Sequence, residues 1–273
     1  MSGNILSMVK KMASRTPLGP VVRQWRAVRR IESWSPRDDA ALVFYLQFIR
    51  PHDTVFDVGA NLGNRTKIFA KLATQVVAIE PQTHCISVLR AGLGKNRKVR
   101  LVQAACGASE GTATLRISGG STLSSLSDSW ISAVTKSGRF DADQWVDTES
   151  CRVTTLDALL VEFGVPSFVK IDVEGFELDV LKGLSRPVRG LSLEFTPELI
   201  DQAASCLERL SSLGFDEFNF SPGESFELQY DPWLAKDAIL NYLQGYRNDA
   251  VTFGDIYARL SSASGTPSIR LNE

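Results

Sequence analysis

The sequence is poor in several residues that mark common protein classes. Its 273 residues include only four cysteines, widely separated and without a Cys-x-x-Cys pair, which argues against a zinc knuckle and a small disulfide scaffold. We expect each thiol to be reduced and partly buried as a small hydrophobic group, which fits a cytoplasmic location. The two histidines, His52 and His84, are expected to be structural.

Long apolar runs and a large net charge are also absent. No stretch approaches the run of about 18 apolar residues that indicates a membrane span. Residues 1–15 lack the apolar core and cleavage site of a secretory signal. The net charge of −1 gives no overall field for a polyanion, so a nucleic-acid partner gains no support. The 44% hydrophobic content is ordinary for a globular protein with a substantial core.

Positive charge is nonetheless concentrated near the N-terminus. Residues 1–35 contain seven Lys or Arg residues and a single acid, Glu32. A basic helix of this kind can lie on an anionic membrane surface or bind a partner. It can equally be a helix with one solvated face, and the sequence leaves both interpretations open.

The most informative stretch is VFDVGANLG at residues 55–63. Apolar residues followed by Gly59 and Gly63 predict a buried parallel strand that ends in a turn and enters a helix. Glycine lets the backbone approach a ligand closely, and a helix N-terminus presents free N–H groups. Residues 76–81 predict a second strand that ends at Glu80, where a carboxylate can accept both hydroxyls of a ribose. Together these features predict an adenosine-binding site.

The glycine spacing separates two kinds of adenosine ligand. A dinucleotide site typically has Gly-x-Gly-x-x-Gly, and the middle glycine is missing between Gly59 and Gly63. The Gly-x-x-x-Gly turn after Asp57 instead resembles motif I of class I S-adenosylmethionine (AdoMet) methyltransferases. In that class the acid before the turn helps to hold the amino-acid part of the ligand, and a second acid binds the ribose.

The order of predicted elements indicates a Rossmann-like α/β fold. Strands and helices alternate over residues 54–103 as βαβαβ, which is the first half of a doubly wound sheet. Later apolar stretches predict strands at 166–171, 188–194 and 249–253, and an antiparallel pair at 215–221 and 226–230. We predict a mostly parallel seven-stranded sheet with an N-terminal helical extension and a β-hairpin or loop insertion.

We divide the chain into three parts by composition and pattern. They are a basic N-terminal helical extension (1–50), a central domain with an insertion (51–260, insertion 111–150) and a flexible tail (261–273). The resemblance implies that the central domain is an AdoMet-dependent methyltransferase domain. In the insertion, strands at 111–117 and 149–154 are expected to form a hairpin. The Ser- and Gly-rich, irregular segment between them is the expected binding loop or lid.

The residues most suggestive of catalysis lie at the end of the predicted fourth parallel strand. Lys170 and Asp172 alternate with apolar residues and therefore share one strand face. Charged groups are costly in a central strand unless they pair or face a cleft, and open α/β sheets bind ligands at this end. Asp172, Glu174 and Lys170 are therefore candidate catalytic residues. The structural alternative is a Lys170–Asp172 ion pair with Glu174 capping the next helix.

A series of motifs makes the resemblance more specific. In chain order they are DVGANLGNRT at 57–66, IEP at 79–81, QAACGASEGTATL at 103–115, SSL at 124–126, TLDALL at 155–160, KIDVEGFELDVLKG at 170–183 and SLEF at 192–195. Over residues 52–197 the chain resembles an FkbM-type class I methyltransferase. Members of that family mostly methylate hydroxyl groups of sugars, glycans or polyketide-like natural products. Gln103 and the Cys106-Gly107 pair depart from the Asn and Ser-Asp that many members have at the adenine contact.

The resemblance implies a set of cofactor-binding residues. They are Asp57, Gly59, Ala60, Asn61, Gly63, Thr66, Glu80, Pro81, Gln103 and Ala104. The β-strand turn that begins at Asp57 is expected to hold the methionine end of AdoMet, and Glu80 to hold the ribose. The backbone around Gln103 and Ala104 is expected to meet the adenine.

The resemblance also implies an acceptor hydroxyl, which is a poor nucleophile until it loses its proton. Asp172 is the candidate general base, while alignment of the acceptor supplies much of the remaining catalysis. Alternatively, Asp172 with Glu174 or Glu194 ligates a hard cation such as Mg²⁺, which would lower the pKa of the acceptor hydroxyl. Ser124, Ser125 and Glu194 are candidate acceptor-binding residues.

Other functions compete with this interpretation. A nicotinamide-dependent oxidoreductase would need the missing glycine and a hydride-transfer pair such as Tyr-x-x-x-Lys. A nucleic-acid amine methyltransferase would be expected to carry an Asn/Asp-Pro-Pro-aromatic element where this chain has DVEG at 172–175. A non-catalytic AdoMet-binding module also stays open. We expect a small-molecule or glycan acceptor, no nucleic acid and no transmembrane segment, with a candidate peripheral membrane or partner contact through the basic N-terminal helix.

Overall fold

The structure is a computed structural model that describes residues 19–119, 123–140, 145–247, 249 and 251–261. Residues 1–18 of the basic segment lie outside the described residues, as does the expected flexible tail apart from Ser261. Among the helices of these described ranges, none has the length and apolar character needed to cross a bilayer.

Strands and helices alternate along most of the described chain. The strands are β1 (Thr54–Val58), β2 (Gln75–Ile79), β3 (Val99–Val102), β4 (Ala105–Cys106), β5 (Gly111–Ser118), β6 (Ser124–Ser125), β7 (Trp145–Thr154), β8 (Phe168–Ile171), β9 (Gly190–Phe195), β10 (Glu217–Pro222) and β11 (Gly254–Arg259). The helices are α1 (Gly19–Glu32), α2 (Pro36–Tyr45), α3 (Thr66–Leu72), α4 (Thr83–Leu93), α5 (Asp128–Ser137), α6 (Leu156–Phe163), α7 (Glu177–Lys182), α8 (Ile200–Ser212) and α9 (Lys236–Gln244). A 3₁₀ turn at Pro197–Leu199 precedes α8.

A seven-stranded sheet in the order β10-β11-β9-β8-β1-β2-β3 forms the centre of the molecule. The five strands from β9 to β3 are parallel, and β11 is antiparallel to both of its neighbours. This arrangement confirms the predicted Rossmann-like, mostly parallel seven-stranded sheet. It also brings the ends of β1, β2 and β8 side by side.

Two apolar layers cover the sheet. On one face, β-branched and aromatic residues such as Phe56 and Ile171 pack against α6, α7, α8 and α9. On the other, Val55 and Phe168 pack against α2, α3 and α4. Helix α2 is fixed at its start by a capping box, in which Ser35 and Asp38 satisfy each other's backbone N–H. Because helices cover both faces, the sheet can receive a ligand only at the strand ends.

The predicted antiparallel pair of 215–221 with 226–230 is wrong. The antiparallel partner of β10 is β11, which inserts between β10 and β9. The side chain of Asn219 explains the position of residues 226–230. Its Nδ2 donates to the Tyr230 carbonyl at 2.7 Å, and its Oδ1 accepts from the Tyr230 N–H at 3.1 Å. The segment therefore lies beside β10 without forming a strand ladder.

The predicted last strand at 249–253 is also misplaced. The Asp249 carboxylate accepts hydrogen bonds from the N–H groups of Val251 at 2.7 Å and Thr252 at 3.0 Å. An aspartate that bonds to the backbone ahead of it makes a turn. Strand β11 consequently begins at Gly254.

The insertion forms a second, four-stranded sheet in the order β4-β7-β5-β6. The predicted hairpin is confirmed, because β5 and β7 pair antiparallel. The expectation of an irregular segment is wrong over α5, which begins where Ser127 Oγ accepts the N–H of Trp130 and ends at Gly138 with φ 76°. Residues 120–122 and 141–144 of the expected loop lie outside the described residues.

Candidate functional site

A pocket opens at the carboxyl ends of β1, β2 and β8. It contains about 630 Å³ of empty space, part of it open to solvent. Five of the expected cofactor residues line it: Gly59, Asn61, Glu80, Pro81 and Ala104. Candidate catalytic and acceptor residues line it too: Asp172, Glu174, Ser124 and Ser125.

Glu80 follows β2 directly and is held in one orientation. Its side chain is buried, Oε2 accepts the N–H of Asn61 at 2.8 Å, and Oε1 accepts the N–H of Gln82 at 2.8 Å. Each carboxylate oxygen keeps a further lone pair for a ligand hydroxyl. Burial raises the pKa of Glu80 to about 7, although the two N–H groups favour the ionised form.

The turn after β1 depends on close contact between two strand ends. Gly59 has φ of +80°, and a Cβ at this position would overlap the carbonyl oxygen of Asp172. Asn61 has φ of +50°, a conformation that asparagine tolerates better than most residues. Its N–H thereby points at Glu80. Gly59 therefore allows the turn after β1 and the loop that begins at Asp172 to form one wall of the pocket.

The other five expected cofactor residues are Asp57, Ala60, Gly63, Thr66 and Gln103, and none is in the pocket wall that the described residues form. Thr66 Oγ1 donates to Asp57 Oδ2 at 2.5 Å beneath the turn, and burial raises the pKa of Asp57. Ala60 donates its N–H to the Ile79 carbonyl at 3.0 Å. These residues are placed to shape the turn.

Gly63 and Gln103 both lie beside α4. A Cβ at Gly63 would come within 2.6 Å of Leu89 Cδ2, so this glycine allows α4 to pack against the turn. The Gln103 amide donates to Thr83 Oγ1 at 3.1 Å and is exposed. The neighbouring Ala104 is fully buried and lines the pocket.

Lys170 and Asp172 form the ion pair that the structural interpretation required. Lys170 Nζ lies 2.7 Å from Asp172 Oδ2, with the lysine side chain 3% exposed and the aspartate 37% exposed. Burial alone would lower the pKa of Lys170, but the carboxylates of Asp172 and Asp255 raise it above its ordinary value. The lysine therefore stays protonated and fixes an aspartate that still reaches the pocket.

Glu174 and Glu194 come together beside Asp172. One carboxylate oxygen from each of the three residues lies within 4.8 Å of the others. Burial and the neighbouring acidic groups raise the pKa of both glutamates well above the ordinary value. Each of these two glutamates therefore holds its proton to a higher pH than an exposed glutamate does. The same three carboxylates have the chemistry of a hard-cation site.

The sequence motifs did not predict two acidic residues that lie near the site, Glu177 and Asp255. Glu177 is buried, and its Oε1 accepts the N–H groups of Val173 at 3.3 Å and Gly175 at 3.2 Å. It, rather than Glu174, is the acid that satisfies the backbone of this loop, and burial raises its pKa to about 7. Its place in the first turn of α7 was an available signal. Asp255, on β11, had no comparable local signal.

The insertion closes over the Asp172 loop. Ser125 Oγ donates to the Glu174 carbonyl at 2.6 Å and accepts the N–H of Ser127 at 2.9 Å. Gly175 has φ of +87°, and a Cβ there would overlap the buried side chain of Trp130. Ser125 therefore holds the loop in place, while Ser124 lines the pocket.

The chemistry of the pocket fits an adenosyl ligand. Glu80 provides a two-oxygen acceptor for vicinal hydroxyls. Apolar side chains such as Pro81, Ala104 and Leu115 provide a surface for a flat base. The carboxylate of Asp172 lies in the same wall, where negative charge favours a positively charged sulfur.

Comparison with known proteins agrees with this chemistry. A family model described as the methyltransferase FkbM domain matches residues 57–218, which is more than half of the chain. No curated protein sequence gives a significant match.

Solved structures similar to this chain include several distant relatives. The FkbM methyltransferase from Methylobacillus flagellatus KT is 16% identical, with a TM-score of 0.41 and coverage of 87% of this chain and 59% of that one. Precorrin-8W decarboxylase from Methanobacterium thermoautotrophicum is 14% identical, with a TM-score of 0.44 and coverage of 84% and 92%. Precorrin-6y C5,15-methyltransferase from Geobacter metallireducens GS-15 is 13% identical, with a TM-score of 0.44 and coverage of 82% and 86%.

The family match includes the turn at Gly59, the buried acid Glu80 and the loop that begins at Asp172. All three of these parts line the pocket. The chain therefore belongs to the FkbM family of AdoMet-dependent methyltransferases.

Proposed function

We propose that the protein transfers the methyl group of AdoMet to a hydroxyl group of a sugar, glycan or natural-product acceptor. The observation that carries this proposal is the carboxylate of Asp172, which is partly exposed in the same pocket wall as Glu80. A hydroxyl acceptor needs a base close to the activated methyl group. A paired, oriented carboxylate at this position meets that need.

AdoMet supplies, when bound, a methyl group that is already activated for transfer. The residues of the chain must then align the acceptor and remove its proton. We assign proton removal to Oδ1 of Asp172, because Oδ2 accepts a hydrogen bond from Lys170 at 2.7 Å. Lys170 is a positioning residue in this mechanism, since its raised pKa prevents it from acting as the base.

We assign Glu174, Glu194 and Ser124 to the binding of further acceptor hydroxyls. A protonated carboxyl group can both donate and accept hydrogen bonds, which suits a polyhydroxylated molecule. Ser125 holds the backbone of Glu174 in position through its hydrogen bond to the Glu174 carbonyl. Asp57 and Thr66 are assigned to the turn that holds the methionine end of AdoMet.

The direct test is a labelled-methyl assay with extracts of glycans and small metabolites, with mass detection of the product. A methyl ether in the product supports the proposal. Transfer to carbon or nitrogen would contradict the hydroxyl assignment. AdoMet binding without transfer to any acceptor would favour a non-catalytic AdoMet-binding module, and selective binding of a nicotinamide cofactor would favour an oxidoreductase.

A divalent cation is the specific alternative to a simple base. Asp172, Glu174 and Glu194 could together ligate Mg²⁺, which would orient the acceptor hydroxyl and lower its pKa. The base mechanism predicts that prolonged dialysis against EDTA leaves kcat unchanged. The metal mechanism predicts instead that EDTA removes activity and that Mg²⁺ restores it. It also predicts that Glu194→Gln needs a higher Mg²⁺ concentration for half-maximal activity than wild type does.

AdoMet affinity is expected to depend on Glu80 and on pH. Because the ionised carboxylate accepts the ribose hydroxyls and its pKa is about 7, affinity should fall about tenfold from pH 8 to pH 6 as protonation competes. Glu80→Ala should weaken binding about 10- to 100-fold at pH 8, which corresponds to hydrogen bonds to a charged group. Isothermal titration calorimetry measures both effects.

The matched control for this experiment is Glu110→Ala, which removes an exposed acid outside the pocket. It should leave the affinity and its pH dependence unchanged. Glu80→Ala should also lose the pH dependence of wild type. Equal affinity of Glu80→Ala and wild type would remove Glu80 from the ribose site.

We propose a cytoplasmic location from the state of the thiols. Cys85, Cys106, Cys151 and Cys206 are all unpaired and buried. Unpaired thiols are typical of proteins in reducing compartments. Fractionation of the source cells tests this location.

A further inference from the structure

Helix α1 presents two different faces. Gln24, Ala27, Val28 and Ile31 follow the helical spacing of a packed face, and Ile31 is buried against Gly92 of α4. The opposite face carries Val22, Trp25, Arg26, Arg29 and Arg30, all exposed. Trp25 is 59% exposed and Val22 41% exposed, although both side chains are largely apolar. The basic helix thus has apolar groups on its outward side.

Cations lie over exposed tryptophan rings on α1 and just after it. The Arg29 guanidinium carbon lies 5.5 Å from the Trp25 ring centroid. Just beyond the helix, Trp34 is 40% exposed, and the exposed Lys71 places Nζ 5.8 Å from its ring. Tryptophan favours the headgroup level of a bilayer, and arginine can bury its stem there while its charge meets phosphate.

Positive charge is concentrated in the N-terminal part of the sequence that includes α1. Residues 1–35 hold seven basic residues and one acid, which leaves 23 basic and 30 acidic residues for the remainder. An anionic membrane would therefore attract this segment and repel the rest of the molecule, which sets an orientation. We propose that the outward face of α1, together with Trp34 and Lys71, binds the surface of an anionic phospholipid bilayer.

The test is co-sedimentation of the full chain with vesicles of phosphatidylcholine alone or mixed with phosphatidylglycerol. Wild type should bind only the mixed vesicles, and binding should weaken as salt rises. The variant Arg26→Glu/Arg29→Glu/Arg30→Glu should bind more than about 100-fold more weakly, because loss of each basic residue near such a surface costs about fivefold and the added carboxylates are repelled. The matched control, Lys136→Glu/Arg152→Glu/Arg186→Glu, makes the same charge change at exposed positions elsewhere and should bind as wild type does.

AdoMet affinity is measured for every variant as a control for folding. This control does not depend on vesicle binding. Failure of wild type to bind the mixed vesicles, or equal binding by the α1 variant, would overturn the proposal. Binding of wild type to a single-stranded RNA homopolymer, with no binding to vesicles, would reassign the surface to nucleic acid. Methyl transfer has no part in these measurements, so their failure would leave the proposed reaction intact.

Discussion

Asp172→Asn is expected to reduce kcat by about 100- to 10,000-fold, the range of a positioned general base. Asparagine keeps the size of the side chain and can still accept a hydrogen bond from Lys170. It cannot take a proton from the acceptor hydroxyl. The affinity for AdoMet should change little, because the ribose acid Glu80 is untouched. Single-turnover methyl transfer and calorimetry separate these two quantities.

The control for this variant is Asp179→Asn on α7. Asp179 is partly exposed and forms an ion pair with Lys182 at 3.0 Å, so the substitution makes the same chemical change outside the pocket. We expect full activity from it. A thermal melt shows whether Asp172→Asn is folded despite the loss of the charge beside buried Lys170. A folded Asp172→Asn variant with retained turnover would place the base elsewhere.

Gly59→Ala is expected to destabilise the domain by about 3 kcal/mol or more and to remove AdoMet binding. The added methyl group would overlap the carbonyl oxygen of Asp172, and the φ of +80° is unfavourable for alanine. Relief requires the ends of β1 and β8 to move apart, which would disrupt the pocket wall. Urea denaturation measures the loss of stability.

Gly111→Ala is the matched control for Gly59→Ala. Gly111 has open space where a Cβ would stand and is exposed at the start of β5. Its substitution should change the free energy of unfolding by less than about 1 kcal/mol. If Gly59→Ala were as stable as Gly111→Ala and bound AdoMet normally, the close contact between the two strand ends would have no functional role.

The parallel half of the fold could be predicted because its signals are local. The apolar runs of β1 and β2 each end at a polar or glycine-rich turn, and both strands lie within the predicted βαβαβ stretch at 54–103. Glu80 was placed beside the β1 turn by the same logic, since neighbouring parallel strands end at one edge. Val58 pairs with Ile79 in the observed register, which brings the two turns together.

The antiparallel half could not be predicted from local pattern. Strand β11 inserts between β9 and β10 through pairings far apart in sequence, so no local feature distinguishes its position. The stretch at 249–253 has strand-like composition, but the Asp249 side chain turns the backbone there. The Ser-rich composition before α5 concealed a cap at Ser127.

The site itself was predictable by residue type more than by role. Asp57 and Thr66 stay predicted cofactor-binding residues, and their hydrogen bond to each other was not predicted. The proximity of Glu194 to Glu174 depends on the side-by-side pairing of β8 and β9, which sequence motifs did not specify. The raised pKa of both glutamates follows from burial and from neighbouring carboxylates, which come together only in the folded chain.

A crystal structure of the protein with S-adenosylhomocysteine tests the central claim most directly. We expect density for the ribose within hydrogen-bond distance of both Glu80 oxygens, the base beside Ala104, and the sulfur on the side of the pocket that holds Asp172. Ligand density away from the ends of β1 and β2, or a Glu80 side chain turned from the ribose, would contradict the account.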